Sequence, residues 1–359
     1  MRKYRVFKQT LDRFACVKLV LFIYLTYSCS ISSGTQALRR SCSSPGSDRI
    51  APIRNHLEMR IWDEVLPRSR DISRKCRAFI LYTVLVLSSS NEEHHEIKAG
   101  PNITTASCAV LFLLHTGEDR PEQAKSAYLQ GLGWTVITHR FSLHPKLVRR
   151  ASRVPKILPV LFFPFTKDVL YSDTKYIHEM NHVEASWLAK MFLRDAHFGI
   201  ARHPVTSSLL EEHEAILASK RGEAIVDSSE TLALQVLRLD YTLTKREKQT
   251  FGVEGRIHAR RLRGVGTSSQ FDATWFEEFN AGSDRDQIAF YAAAARMGME
   301  LYETSDCRTF STTHVDGQHR CRTFTSKQDK NFRMVIHCDL DSIISWGLNR
   351  GAMHVQVVH

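Results

Sequence analysis

Residues 78–87 read AFILYTVLVL. The run carries no charge and is rich in β-branched and aromatic side chains. It is too short to cross a bilayer, which takes roughly 17–25 mainly apolar residues, and it suits a buried strand. Two more short apolar runs follow at residues 109–114 (AVLFLL) and 134–137 (WTVI), and residues 122–129 form a helical stretch between them. Strands alternating with helices predict an α/β fold with a mostly parallel sheet and helices on its faces. Residues 169–171 predict a further strand, ending at Ser172-Asp173-Thr174-Lys175. Residues 181–193, 208–221 and 286–299 (DQIAFYAAAARMGM) read as helices, and no internal repeat is visible.

Upstream of that core the chain changes character. Residues 1–13 are basic, with Arg2, Lys3, Arg5, Lys8 and Arg13 against Asp12. Residues 14–31, FACVKLVLFIYLTYSCSI, then hold a single charge, Lys18. That length spans the hydrocarbon if Lys18 snorkels to the interface. The positive charge before it keeps the N-terminus in the cytosol. The expectation is a cytosolic tail (1–13), a signal-anchor transmembrane helix (14–31) and a stem or linker rich in Ser, Arg and Pro (32–75). A lumenal catalytic domain (76–305) and a C-terminal extension (306–359) complete the division. A cleaved signal peptide is the rival, since Ser28 and Ser30 are small enough to flank a cleavage site.

The chain has 359 residues and a formal net charge of +11. Residues 1–75 hold 15 Lys and Arg against 6 Asp and Glu, which is +9 of that total and leaves +2 for the rest. A nucleic-acid binder carries its charge on the folded surface that meets phosphates. This distribution argues for no nucleic-acid partner. Of eight cysteines, Cys42, Cys76, Cys108, Cys307, Cys321 and Cys338 follow the apolar segment. Disulfides and buried thiols are both open, and spacing does not give a pairing. No CxxC pair points to a zinc ribbon. Asn102-Ile103-Thr104 is an N-glycosylation sequon, which fits lumenal exposure.

Three motifs carry candidate chemistry. His178-Glu179-Met180-Asn181-His182 is a literal HExxH, which on a helix sets two imidazoles one turn apart for zinc. The longer metzincin form fails, because Ala185 and Leu188 stand where Gly and His are required. Asp173 lies just past a strand, at the sheet edge where open α/β proteins bind ligands. A nucleotide-sugar donor leaves as a diphosphate, and paired carboxylates commonly hold Mn²⁺ or Mg²⁺ against it. Here the second position is Lys175, able to meet phosphate directly. Two true DxD triplets also occur. Asp284-Arg285-Asp286 opens a helix, where acids suit the dipole, and Asp339-Leu340-Asp341 follows the apolar residues 334–336.

The order of several blocks is more specific than any one of them. Arg150-Ala151-Ser152-Arg153-Val154-Pro155-Lys156-Ile157-Leu158-Pro159 precedes Phe163-Pro164 and Tyr171-Ser172-Asp173-Thr174-Lys175. Ile200-Ala201-Arg202-His203-Pro204 follows, then Trp275-Phe276-Glu277-Glu278 and Ser283-Asp284-Arg285-Asp286-Gln287-Ile288-Ala289-Phe290. This order resembles a plant-type, glycosyltransferase-like family formerly called domain of unknown function 616, linked to mucilage and cell-wall polysaccharides. The resemblance covers about residues 76–305.

It implies a GT-A-like nucleotide-sugar-binding domain in a single-pass type II protein of the Golgi membrane. The implied donor is a nucleotide sugar of UDP-sugar type. A divalent Mn or Mg ion at Asp173 and a glycan or cell-wall polysaccharide acceptor go with it. By the same resemblance Asp173 and Lys175 face the donor diphosphate, and Arg202 and His203 line the pocket. Arg285, Asp286 and Gln287 lie at the sugar or acceptor side, with Asp286 the candidate base and Trp275 a candidate sugar platform. The chain departs from the pattern at Thr206, where the family tends to be basic. It departs again at Leu113-Leu114-His115-Thr116, which lacks an expected acid. Two alternatives stand beside sugar transfer: a catalytically inactive glycan-binding relative, and an HExxH zinc metalloprotease.

Overall fold

The computed structural model describes residues 62–87, 97–115, 121–140, 145–180, 182–202, 253–264, 267–281, 286–299, 301 and 321–338. The apolar segment 14–31, the expected helix 208–221 and both residues 284–285 and 339–341 of the DxD triplets lie outside them. No helix among the described residues is long and apolar enough to cross a membrane.

The strands are β1 (Phe79–Leu87), β2 (Ala109–His115), β3 (Thr135–Arg140), β4 (Asp168–Ser172), β5 (Phe198–Arg202), β6 (Val253–Arg261), β7 (Cys321–Thr325) and β8 (Arg333–His337). The helices are α1 (Leu66–Lys75), α2 (Pro121–Gly131), α3 (Pro145–Ile157), α4 (Pro159–Phe162), α5 (Ile177–Met180), α6 (Ala185–Leu193), α7 (Ser269–Ala281) and α8 (Asp286–Arg296). The strands form one sheet in the order β3-β2-β1-β4-β6-β5-β8-β7. β1 pairs in parallel with β2 and β4, β2 with β3, and β5 with β8. β6 runs antiparallel to both β4 and β5, and β7 antiparallel to β8. Since β6 reverses direction between them, β4 and β5 point the same way. Only β6 and β7 oppose the rest, so the sheet is mixed and mostly parallel.

Alternation along the strands feeds two apolar layers. Tyr82, Phe112, Val169, Phe198 and Met334 pack with α1, α3, α4, α7 and α8. Leu81, Leu111, Leu170 and Ile257 pack on the other face with α2, α5 and α6. The result is a three-layer α/β/α arrangement.

The folded part is wider than residues 76–305. Trp62, Val65 and Leu66 are buried in the first layer, so the end of the expected stem belongs to the core. β7 and β8, beyond residue 305, complete the sheet. The helix expected from residue 181 begins only at Ala185, because Glu184 is its N-cap and accepts from the Trp187 backbone N–H at 2.7 Å. The cysteine alternatives divide: Cys76 and Cys108 form a disulfide, Cys338 is also disulfide-bonded, and Cys321 is free.

Candidate active site

Helix α3 reads PKLVRRASRVPKI and places Pro155 inside its last turn. Proline has no N–H to give the carbonyl four residues back. That carbonyl, Ala151, instead accepts from Trp62 Nε1 at 3.2 Å. The final carbonyls of the helix are taken by side chains as well. Tyr82 donates its hydroxyl to Pro155 at 3.2 Å. Arg260, on β6, donates to Lys156 at 2.7 Å and to Ile157 at 2.6 Å. These bonds fix the helix end that carries Arg153 and Lys156.

Arg260 is fully buried, and its charge is met by the equally buried Asp272 of α7 at 3.0 Å. Its guanidinium also lies over the rings of Phe198 and Trp275. Burial pushes the Asp272 carboxyl up to about 6, against the opposing pull of Arg260.

At the carboxyl edge of β4 the chain passes from Ser172 into Asp173, whose N–H donates to the Arg256 carbonyl at 2.7 Å. The start of β6 therefore borders Asp173 directly. Arg202, the last residue of β5, stands at this same edge, because β5 runs the same way as β4. His203 and Arg285 lie outside the described residues, as does the Arg202 side chain.

Asp173 and Asp286 come together here through one arginine. Arg153 Nη1 is 3.9 Å from Asp173 Oδ1, and Arg153 Nε is 3.8 Å from Asp286 Oδ1. Asp286 Oδ2 contacts Lys156 Nζ at 2.5 Å. The order Asp173, Arg153, Asp286, Lys156 alternates in sign and grows drier along its length. The first two side chains are 25% and 23% exposed, while Asp286 and Lys156 are 4% and 3%. Tyr171 donates its hydroxyl to Asp173 at 2.5 Å. Burial, reinforced by the Asp173 charge, holds that hydroxyl well above its usual range, so it stays a donor. His258 stacks on Tyr171 with centroids 4.9 Å apart, and burial keeps its ring neutral.

Asp286 starts α8, but the helix terminus is a minor part of its surroundings. Burial alone raises its pKa; Lys156 and then Arg153 outweigh burial and hold it well below the carboxylate range. A carboxylate so stabilised as an anion is a weak proton acceptor. Its chemistry suits a fixed counter-charge for two cations. Gln287, beside it, is half-buried. Lys175 is exposed and lies over the Tyr176 ring at 5.0 Å, with Arg256 over the same ring at 4.8 Å. Trp275 is not a sugar platform: it is 1% exposed and donates its indole N–H to the Asp286 carbonyl at 2.7 Å.

A divalent ion needs carboxylates whose charge is still available. Both carboxylates of this edge already face Arg153, and one faces Lys156 too, so these residues do not fit such an ion. Among the described residues no group of three His, Cys, Asp or Glu stands ready to hold a metal. The HExxH stretch is no exception. α5 spans only Ile177–Met180, and the exposed rings of His178 and His182 lie 6.3 Å apart.

A family model described as TOD1/MUCI70, glycosyltransferase-like domain, matches residues 71–315. The chain belongs to this family. The TOD1/MUCI70 match runs from within α1 through α8, including Arg153, Lys156, Asp173 and Asp286. It replaces the metalloprotease alternative with a glycosyltransferase-like domain. Among solved structures the chain is similar to the crystal structure of mouse xyloside xylosyltransferase 1 in its apo form. Identity is 13% and the TM-score 0.31, over 74% of this chain and 99% of that one. No curated protein matches the chain.

The sequence singles out Asp173 and Asp286, whereas Arg153, Lys156 and Tyr171 stand in the family blocks without a role of their own. One signal for the first two was present: α3 holds Lys146, Arg149, Arg150, Arg153 and Lys156 and no acid. Such an uncompensated run needs its counter-charges from elsewhere in the fold.

Proposed function

We propose that this chain transfers a sugar from a nucleotide-sugar donor, of UDP-sugar type, to a glycan or cell-wall polysaccharide acceptor, using a GT-A-type site. One observation carries the reading. Two carboxylates far apart in sequence meet across one guanidinium at the carboxyl edge of a mostly parallel sheet. That edge is where open α/β folds bind their ligands.

In the reaction the bond between the anomeric carbon and the phosphate oxygen breaks, and its electron pair moves onto the departing diphosphate. The acceptor hydroxyl oxygen bonds to the anomeric carbon, and its proton passes to the phosphate oxygen of the departing diphosphate. Positive groups fixed beforehand at the edge stabilise the developing charge without reorganising. Lys175 is one of them, and the proposal gives Arg202 and His203 the same task. Asp286 restrains the cations rather than taking the acceptor's proton, and the proposal assigns Arg285 and Gln287 to the sugar or acceptor.

The site works in the Golgi lumen, with residues 14–31 as the anchor of a single-pass type II protein. The Cys76–Cys108 disulfide supports this placement, since such bonds persist in oxidising compartments. The sequon at Asn102 is consistent with it.

A panel of nucleotide sugars offered to the full-length chain, with release of nucleoside diphosphate as the readout, tests the proposal. Turnover with one donor, lost in Asp173→Ala, is expected. Unchanged turnover in that variant overturns the site. A second reading, a glycan-binding relative without turnover, is favoured by the suppressed basicity of Asp286. Glycan binding with no turnover on any donor would select it.

A further inference from the structure

We infer that this chain binds its donor diphosphate without a divalent metal, and that Arg153 takes the metal's place. The inference rests on the reading of this edge as a nucleotide-sugar site. A metal-dependent site of this type sets two carboxylates around a dication, and the dication meets the diphosphate. Here two carboxylates are set around a guanidinium. Arg153 lies within 4 Å of both Asp173 and Asp286.

Three further features make Arg153 the group that meets the ligand. The first is access. Its side chain is 23% exposed, whereas Lys156 is 3% exposed and its ammonium is paired at 2.5 Å with Asp286. The second is geometry. Both carboxylates lie 3.8–3.9 Å from the guanidinium and set its position through charge, and a planar fork is the shape that meets phosphate oxygens in pairs. The third is rigidity. Arg153 is on the turn of α3 whose carbonyls are held by Trp62, Tyr82 and Arg260. Its cation is therefore fixed before the ligand arrives, which is what a bound metal provides.

Lys156 completes the arrangement from below. It neutralises Asp286, so that the pair Asp173 and Arg153 does not present a net negative charge to an incoming dianion. Lys175 and Arg256, beside Tyr176 on the same edge, add positive charge around the mouth. The predicted ligand chemistry is a nucleoside diphosphate gripped by guanidinium and ammonium groups.

Calorimetric titration of the full-length chain with UDP, GDP and ADP, each in excess EDTA and again in excess MnCl₂, tests this. One nucleotide is expected to bind equally well in both conditions. Arg153→Gln is expected to weaken that binding by about tenfold or more, as for loss of charge-assisted bonds, with no rescue by manganese. Arg153→Lys retains part of it. Binding that appears only with manganese overturns the inference and leaves sugar transfer standing, and undiminished binding by a folded Arg153→Gln does the same. No binding of any of the three nucleotides in either condition removes both readings.

Discussion

The indole of Trp62 donates to the carbonyl of Ala151, the one carbonyl in helix α3 that Pro155 leaves without a helical donor. A residue ahead of the first strand thereby repairs a defect in the helix that carries the site. Trp62→Phe keeps most of the apolar contact with Phe112 and Phe162 and deletes the donor. The expected cost is about 1–3 kcal/mol of unfolding free energy, the penalty for stranding a buried carbonyl. Urea denaturation of the two proteins measures it, and superimposable curves would refute the account.

Arg260 and Asp272 are fully buried together, so removing either charge strands the other. Arg260→Met is expected to destabilise the fold by roughly 3–5 kcal/mol. Adding Asp272→Leu should restore a substantial part of that loss. A double-mutant cycle reads the coupling directly. Additive losses would show that the two residues contribute separately.

The acid limb of stability should report on Asp286. Its pKa is depressed in the folded state, so the stability it contributes is present above its unfolded value of about 4 and fades as pH falls below that. In Asp286→Asn this contribution is gone at every pH. Melting temperatures of wild type and variant should therefore differ most near neutrality and converge toward about pH 2. Parallel curves across that range would contradict the Lys156 pairing.

A side chain at Gly255 would press on the end of the Lys156 side chain. A Cβ built there would lie 2.9 Å from Lys156 Nζ and 3.6 Å from Asp286 Oδ2. Gly255→Ala is expected to push the ammonium off its carboxylate with a stability loss on the order of 1 kcal/mol. Nucleoside diphosphate binding should weaken several-fold more than that loss explains. Titration and melting on one preparation separate the two effects. A variant that melts lower but binds normally would show that the ion pair has no bearing on the site.

The disulfide between Cys76 and Cys108 closes a loop with a sequence separation of 32. Loop-closure entropy puts its worth at about 3–4 kcal/mol. The Cys76→Ser, Cys108→Ser double variant should lose about that much in denaturant, and reductant should then have little further effect at this loop.

The parts of the fold that announce themselves are those whose side chains mostly face apolar neighbours. β1, β2 and the Ala-rich α8 are of this kind, and their sequences are nearly free of charge. β6 is the opposite. VEGRIHARR looks like a surface segment, yet it occupies the middle of the sheet. Its inward polar groups meet partners that sequence does not display: Arg260 donates to helix carbonyls and pairs with Asp272, and the His258 ring, its nitrogens buried without a hydrogen bond, packs against aromatic faces. The site divides in the same way. Asp173 is legible because a carboxylate ending an apolar strand is an unusual thing to place there. Arg153 is not, because a cation in an amphipathic helix ordinarily faces water. Only the return of Asp286 to the same spot gives it another meaning.

The placement of β5 bears on how the protein is made. Both strands that flank it, β6 and β8, follow it in the chain. As the polypeptide leaves the ribosome, β1 to β4 are able to assemble first, and β5 then waits with Phe198 and Ile200 uncovered until residues 253–261 emerge. Unpaired strand edges invite association with other chains. Nascent protein stalled or truncated between β5 and β6 is thus the form most in need of chaperones, and the form that quality control should clear fastest.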